Sequence, residues 1–314
     1  MPLFETTKKI PSTLLRDRYL VPPFSILDAK VGSWLDRRKQ WESVLHDRED
    51  NIRDTSSDGN TPYILSEYWR EQFHVSSARL ISTFDPFLAE IIIKWFSKVG
   101  MKILDPFAGG IVRGAVSTIL GRDYLGIDIS KAQVSHNEEQ WEKIRAEYLM
   151  QSGTLTYLLG DAEVVASNLD TESMDMLFTC PPYYNLEVYT DDPNDLSLQD
   201  SYQKFLLKYT NIIERCYNVL KEDTFGVIVV SEIRAPDGSL YGFVPDTVKA
   251  FTAAGFKFYN ELILENCSVS LSVRCPKYFD QSRKIGKHHQ NVLVFYKGNL
   301  KNIEKKFGKF TEGK

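Results

Sequence analysis

Cysteine is scarce and unpatterned in this chain of 314 residues: Cys180, Cys216, Cys267 and Cys275 stand apart with no CxxC spacing. That spacing excludes a ribbon- or finger-type zinc site, gives no disulfide framework, and suits a reducing cytosol. No apolar run approaches the ~20 residues a membrane span requires. The opening stretch MPLFETTKKIPSTLL lacks the apolar centre of a secretory signal. Internal repeats and low-complexity blocks are absent as well. What remains is the composition of an ordinary soluble domain, 43% hydrophobic and 25% charged, with a net charge of −4. That balance argues against a polyanion as partner, but its distribution argues the other way. From Arg274 onward there are eleven basic and three acidic residues, an asymmetry that hints at an anionic partner or a solvated basic tail.

Residues 1–60 read as irregular, with turn-rich VPPFSILDAK and a short charged helix in VGSWLDRRKQWESVLHDRED. The tryptophans of WLDRRKQW suit packing better than nucleic-acid contact. DTSSDGNTP is the clearest loop, and a boundary is placed near it, giving an N-terminal extension over 1–80. Beyond it apolar periodicity alternates between strand and helix. FDPFLAEIIIKWFSKVG reads as a helix and MKILDPF as a strand. GAVSTILGRD is a helix, YLGIDIS a strand, KAQVSHNEEQWEKIRAEYLM a long helix, and TLTYLLGDAE and DMLFTC strands. DSYQKFLLKYTNIIERCYNVLK and VPDTVKAFTAAG are helices; FGVIVVSEIR, FKFYNELIL and QNVLVFYKG are strands. Such alternation predicts an α/β fold, a mainly parallel sheet with helices on both faces. The last two strands are expected to be joined by a loop, with one of them antiparallel. The catalytic domain is placed over 81–298 and a basic tail over 299–314.

In open α/β sheets ligands bind beyond the carboxyl ends of the strands, so the tips carry the chemistry. The first tip, DPFAGGIVRG, offers Gly109 and Gly110, where the backbone can turn and approach a ligand before a helix starts. The second, GIDIS, puts Asp128 nineteen positions after Gly109, the place for a carboxylate that holds a ribose diol. The third puts Asp161 at the end of LLGDAE. The fourth is FTCPPYYNL. Two prolines without N–H groups end the strand in a stiff extended turn that carries a thiol and two rings. Each feature alone reads as readily as a turn or a helix N-cap; their order gives them weight.

DPFAGG, GIDIS, GDA and TCPPYY resemble the cofactor and catalytic motifs of S-adenosylmethionine-dependent methyltransferases that act on exocyclic amino groups of DNA bases. STFDPFLAEIIIKWF is similar to that family's cofactor-flanking motif and HQNVLVFYKG to its closing strand, so the resemblance covers roughly 80–298. VPPFSILDAK, LEVYTDDPNDLS and RKIGKHHQNVLVF look similar to methyltransferases carried by bacteriophages. The resemblance implies a seven-stranded Rossmann-like sheet. It also implies S-adenosylmethionine as cofactor, DNA as partner, and adenine N6 or cytosine N4 as target, the two left open. It assigns cofactor contacts to Phe84, Asp105, Phe107, Gly109, Gly110, Asp128, Ile129, Asp161 and Ala162. Catalysis falls to Cys180, Pro181, Pro182 and Tyr183, with no metal. Tyr183 would stack on a base flipped from the duplex while the Pro181 carbonyl and Cys180 orient its amine. Arg283, Lys284, Lys287 and His288 would meet phosphates.

The chain departs from the family at two points. Ile111 stands where a glycine is usual, and Cys180 stands where Asp, Asn or Ser is usual. A thiol is a poor acceptor, which leaves the work to main-chain carbonyls or weakens the activity. A nucleophilic thiol is disfavoured by its position before the prolines, and Cys180 could equally be a small buried support of the turn. Tyr184 lines the pocket or packs; the acidic loop holding Glu187, Asp191, Asp192 and Asp195 caps the pocket or is solvated. The rivals are an RNA methyltransferase of the guanine N2 type and a cofactor-binding protein that has lost activity.

Overall fold

A computed structural model describes residues 14–45, 84–147, 153–184, 189–266 and 269–311. Eight strands form one sheet: β1 Ile26–Asp28, β2 Lys102–Asp105, β3 Asp123–Asp128, β4 Leu155–Leu159, β5 Met174–Thr179, β6 Leu220–Val230, β7 Lys257–Glu265 and β8 His289–Lys297. Their order is β1-β7-β8-β6-β5-β2-β3-β4. Only β8 runs antiparallel to its neighbours, pairing Val227 with Val294 on β6 and Leu262 with Val292 on β7. The resemblance implied seven strands; the eighth is β1, which adds parallel to the β7 edge with Ile26 opposite Ile263. Three residues inside a proline- and turn-rich stretch carry no readable period, so this strand exists only through its partner.

The chain reverses its spatial order after β4, and β2 and β5 lie side by side with their tips together. Both faces of the central strands are covered, which is why these strands read as unbroken apolar runs rather than alternating ones. Ile103, Met176 and Phe178 face one core layer, while Leu104 and Leu177 face the other. The first layer contains the helix Pro86–Phe96 and the helix Val112–Ile119; the second is built on Tyr202–Val219 and Phe243–Ala254.

The helix Gly32–Leu45 has a polar composition but is locked onto Pro86–Phe96. Glu90, fully buried, accepts from Arg37 Nε at 2.7 Å and Nη2 at 2.6 Å, from Trp41 Nε1 at 2.7 Å, and pairs with Lys94 at 3.1 Å. Burial alone would raise the Glu90 pKa, but these cations and donors hold it below the usual carboxylate value. Asp85 caps Pro86–Phe96 by accepting from the Phe87 and Leu88 amides and also takes the Trp34 indole N–H at 3.0 Å. The tryptophans thus pack, as their spacing suggested. Residues placed by sequence in an appended extension supply a strand and a helix to the core.

A helix, Val269–Ser282, lies between β7 and β8 where a loop was expected. Pro276 sits inside it; a proline there removes one backbone hydrogen bond, so the sequence hides the helix. The antiparallel closing strand is as expected. At the C-terminal end Phe307 packs on Phe225 with ring centroids 5.0 Å apart, and Asn302 donates to Asp223 at 2.8 Å. Among the described residues no helix is long and apolar enough to cross a membrane.

Candidate functional site

The β2 tip turns at Gly109, whose φ of 53° lies in the left-handed region that glycine enters without penalty. The turn aims the Gly109 amide at Asp128 Oδ2, 2.8 Å away, while Asp128 Oδ1 accepts from the Ser130 amide at 2.8 Å. Asn137 closes the same loop by donating to the Gly109 carbonyl at 2.7 Å. These contacts hold the Asp128 carboxylate in one orientation at the cavity wall. Ile111 explains its own departure from the glycine pattern: at φ −62° it already has helical geometry, and its side chain is buried.

Asp105 is the correction among the cofactor candidates. It does not line the cavity. Its fully buried carboxylate accepts from Arg113 Nε at 2.6 Å, the Tyr124 hydroxyl at 2.7 Å, Thr179 Oγ1 at 2.5 Å and the Phe107 amide at 3.1 Å. Arg113 in turn donates to the carbonyls of Phe107 and Ala108, and its guanidinium lies 4.8 Å from the centre of the Phe84 ring. Asp105 therefore supports the glycine loop, the β5 end and Phe84 from behind. A strand-tip carboxylate looks the same in sequence whether it faces ligand or core.

Asp161 begins the helix Ala162–Ser167 by accepting from the Glu163 amide at 3.0 Å, and its other oxygen pairs with Lys208 at 2.8 Å. Lys208 also donates to the Asn194 carbonyl at 2.7 Å. This ties the cavity wall to the acidic loop, where Asp195 accepts from Thr190 and Ser197. Asp195 and Asn194 line the cavity, so this part of the loop is built structure at the site.

The turn after β5 is anchored at its far end by Tyr184. This residue takes a φ of 47°, costly for a bulky side chain by about 1–2 kcal/mol. Its ring is buried against Tyr202, Phe205 and Tyr241 at centroid distances of 5.9, 5.4 and 5.7 Å. Tyr184 thus packs and lies outside the cavity lining. The chain reverses there and leaves Tyr183 half-buried, its ring edge-on to Phe243. Burial pushes the Tyr183 phenol well above its ordinary pKa, with the Cys180 thiol adding to the rise and the Gln290 hydrogen bond opposing it. Its hydroxyl is therefore a neutral donor and acceptor at physiological pH.

These tips enclose a cavity of about 1000 Å³. Phe84, Phe107, Gly109, Gly110, Asp128 and Ile129 line it together with Asp161, Ala162 and the whole Cys180-Pro181-Pro182-Tyr183 turn. Residues that sequence reasoning missed complete the wall: Lys30, Leu35 and Arg38 from the N-terminal segment, Gln133, Lys208, and the amides Asn266 and Gln290. They arrive from elements distant in sequence, and no local pattern marks them. Among the described residues no cluster of His, Cys, Asp and Glu could hold a metal.

The basic loop stands apart from the cavity. Arg283 is exposed and lies over Phe279, near Asp280 at 4.0 Å. Lys287 donates to Asn291 at 3.0 Å, and desolvation lowers its pKa. His288 faces Glu265 at 3.9 Å. Three of the four phosphate candidates thus have protein partners.

Fold and site together define a doubly wound α/β protein with a cavity across the tips of its central strands, a glycine loop and a carboxylate on one side and a rigid aromatic turn on the other. Solved structures of low similarity include a candidate DNA modification methylase of Thermus thermophilus in complex with S-adenosyl-L-methionine. It is 20% identical over 45% of this chain and 54% of its own, with a TM-score of 0.35. TrmN of Thermus thermophilus is 13% identical over 69% of this chain and 50% of its own, TM-score 0.46. A SAM-dependent methyltransferase of Methanosarcina mazei is 14% identical over 66% of this chain and 97% of its own, TM-score 0.44. The chain spans about half the length of the first two. No family model and no curated protein matches the sequence.

Proposed function

We propose that this protein is an S-adenosylmethionine-dependent methyltransferase that modifies the exocyclic amine of adenine or cytosine in DNA, with the base flipped into the cavity. The observation that carries the reading is the convergence of Asp128, Gly109 and the Cys180–Tyr183 turn on one cavity. The residues present fit the cofactor. Asp128 is held at the β3 tip on the cavity wall, where a carboxylate meets a ribose diol, and Gly109 lies beside it. Phe84 and Phe107 give apolar faces.

When bound, S-adenosylmethionine supplies an electrophilic methyl group. The protein's own contribution is positioning. Asp128 and the glycine loop set one reactant, and Tyr183 offers a π-face to the other, worth ~1–3 kcal/mol of stacking that tolerates any base. The Cys180 thiol interacts with the Tyr183 hydroxyl, which leaves the main-chain carbonyls of Cys180 and Pro181 to accept from the target amine. The two prolines hold those carbonyls without reorganisation, the condition under which oriented dipoles lower a barrier most.

The test is methyl transfer from labelled S-adenosylmethionine to duplex DNA and to structured RNA, with the nucleosides of the product identified by mass. N6-methyladenine or N4-methylcytosine in DNA is expected. Transfer to RNA alone, or no transfer by protein that binds the cofactor, overturns the reading.

A further inference from the structure

Beside Tyr183 lies a pair of side-chain amides that the mechanism above does not use. Gln290, near the start of β8, donates through Nε2 to the Tyr183 hydroxyl at 3.4 Å. Asn266, just past the end of β7, donates through Nδ2 to Gln290 Oε1 at 3.3 Å. All three side chains line the cavity. Both contacts are long for hydrogen bonds, so the amides are aligned with the ring and with each other without being saturated.

The cavity's carboxylates all have protein partners, and Asp128 is the one assigned to the ribose. Asp85 caps a helix, Asp128 holds the glycine loop, Asp161 pairs with Lys208, Asp195 organises its own loop and Glu42 pairs with Arg38. Next to Tyr183 stand the Cys180 thiol, the Tyr189 phenol and this pair of amides, and the amides are the groups that set a donor beside an acceptor. An amide presents one donor and one acceptor side by side. Adenine at N6 and N1, and cytosine at N4 and N3, present the complementary donor and acceptor. The Watson–Crick edge of guanine presents two adjacent donors at N1 and N2, which a carboxylate would complement.

We propose that Gln290, positioned by Asn266 and by the Tyr183 hydroxyl, reads the amine-bearing edge of the flipped base and restricts the enzyme to adenine or cytosine. The proposal rests on the methyltransferase reading above. It assigns Gln290 as a specificity-determining residue in contact with the substrate and Asn266 as a positioning residue. It also sets the guanine N2 reaction aside on the chemistry of the wall.

The experiment compares wild type, Gln290→Leu and Gln290→Glu on a duplex that the wild type methylates. A second duplex carries a deaza analogue at the target: 1-deazaadenine if the product is N6-methyladenine, 3-deazacytosine if it is N4-methylcytosine. Each analogue keeps the amine and removes the ring acceptor beside it. The wild type is expected to lose about tenfold or more in kcat/KM on the analogue. Gln290→Leu is expected to fall by a similar factor on the normal duplex and to treat the two duplexes alike within about twofold, because the contact is already gone. Gln290→Glu, nearly isosteric, guards against a variant that fails to fold and should be impaired on the normal duplex, having no donor–acceptor edge. Cofactor affinity by calorimetric titration should be unchanged in both. An analogue penalty of the same size in wild type and variants overturns the inference while leaving the methyltransferase reading intact. Guanine N2 as the product overturns the inference together with the choice of base. A wild type that methylates no nucleic acid overturns the reading itself.

Discussion

Removing the Asp105 carboxylate is expected to damage the fold far more than any ligand contact. In Asp105→Ala three side-chain donors and one amide lose their acceptor, with Asp105 fully buried and the Arg113 side chain 6% exposed. A buried charge stripped of its partner costs about 3–5 kcal/mol. The stranded Tyr124 and Thr179 hydroxyls would add about 1–3 kcal/mol each if nothing replaced the acceptor. Arg113 retains the carbonyls of Phe107 and Ala108, at 2.7 and 3.0 Å, and these offset part of that loss. The net expectation is about 4 kcal/mol, a large share of the ~5–15 kcal/mol that holds a domain together. Asp105→Asn keeps the shape and two acceptor lone pairs but removes the charge, and should cost about half as much. Urea unfolding followed by tryptophan fluorescence measures both, the midpoint falling while the slope stays constant. An Asp105→Ala protein as stable as wild type but unable to bind S-adenosylmethionine would refute the internal role and return Asp105 to the cofactor.

The opposite pattern is expected for Asp128→Ala: a folded protein whose S-adenosylmethionine affinity falls by about 1–3 kcal/mol in calorimetric titration, because the ribose hydroxyls lose a charged acceptor. Cys180→Ser should keep single-turnover methylation, since the main-chain carbonyls accept from the target amine and a serine hydroxyl can still pair with the Tyr183 hydroxyl. A dead Cys180→Ser protein that still binds both substrates, with a covalent DNA adduct in wild type, would mean a nucleophilic thiol. Tyr183→Phe keeps the π-face and loses only the hydroxyl that helps position Gln290, so it should fall by less than Gln290→Leu, whereas Tyr183→Ala loses transfer but not cofactor binding. Glu90 has its pKa depressed on folding. Its contribution is therefore present above the ordinary glutamate pKa of ~4.3 and is lost as pH falls through the depressed folded value. Unfolding midpoints of wild type and Glu90→Gln should differ clearly near neutrality and draw together as pH falls below ~4.3 toward the depressed folded value. A difference that stays constant across that range would show that Glu90 does not titrate on unfolding.

Short-range chemistry was legible without coordinates. The period of apolar residues in FDPFLAEIIIKWF, the proline and aspartate that start that helix, and the glycine, aspartate and proline signals at strand tips all act within a few residues of one another. They placed most elements of the sheet, and they pointed to Gly109, Asp128 and the Cys180–Tyr183 turn, which line the cavity. Tertiary structure alone decided the rest. β1 becomes a strand because β7 offers an edge, and Val269–Ser282 is helical despite Pro276 in its interior. Gly32–Leu45 reads as a short charged helix with packing tryptophans, but nothing local shows that the buried Glu90, 53 positions from Arg37, seals it onto the core. Asp105 and Asp128 are alike in sequence, each an aspartate at the end of an apolar strand. Only the arrival of Arg113, Tyr124 and Thr179 turns the first inward. Gln290 meets Tyr183 across 107 positions of chain. Contacts of that separation arise because the sheet brings strand tips together, and no local pattern in the sequence encodes which side chains will meet there.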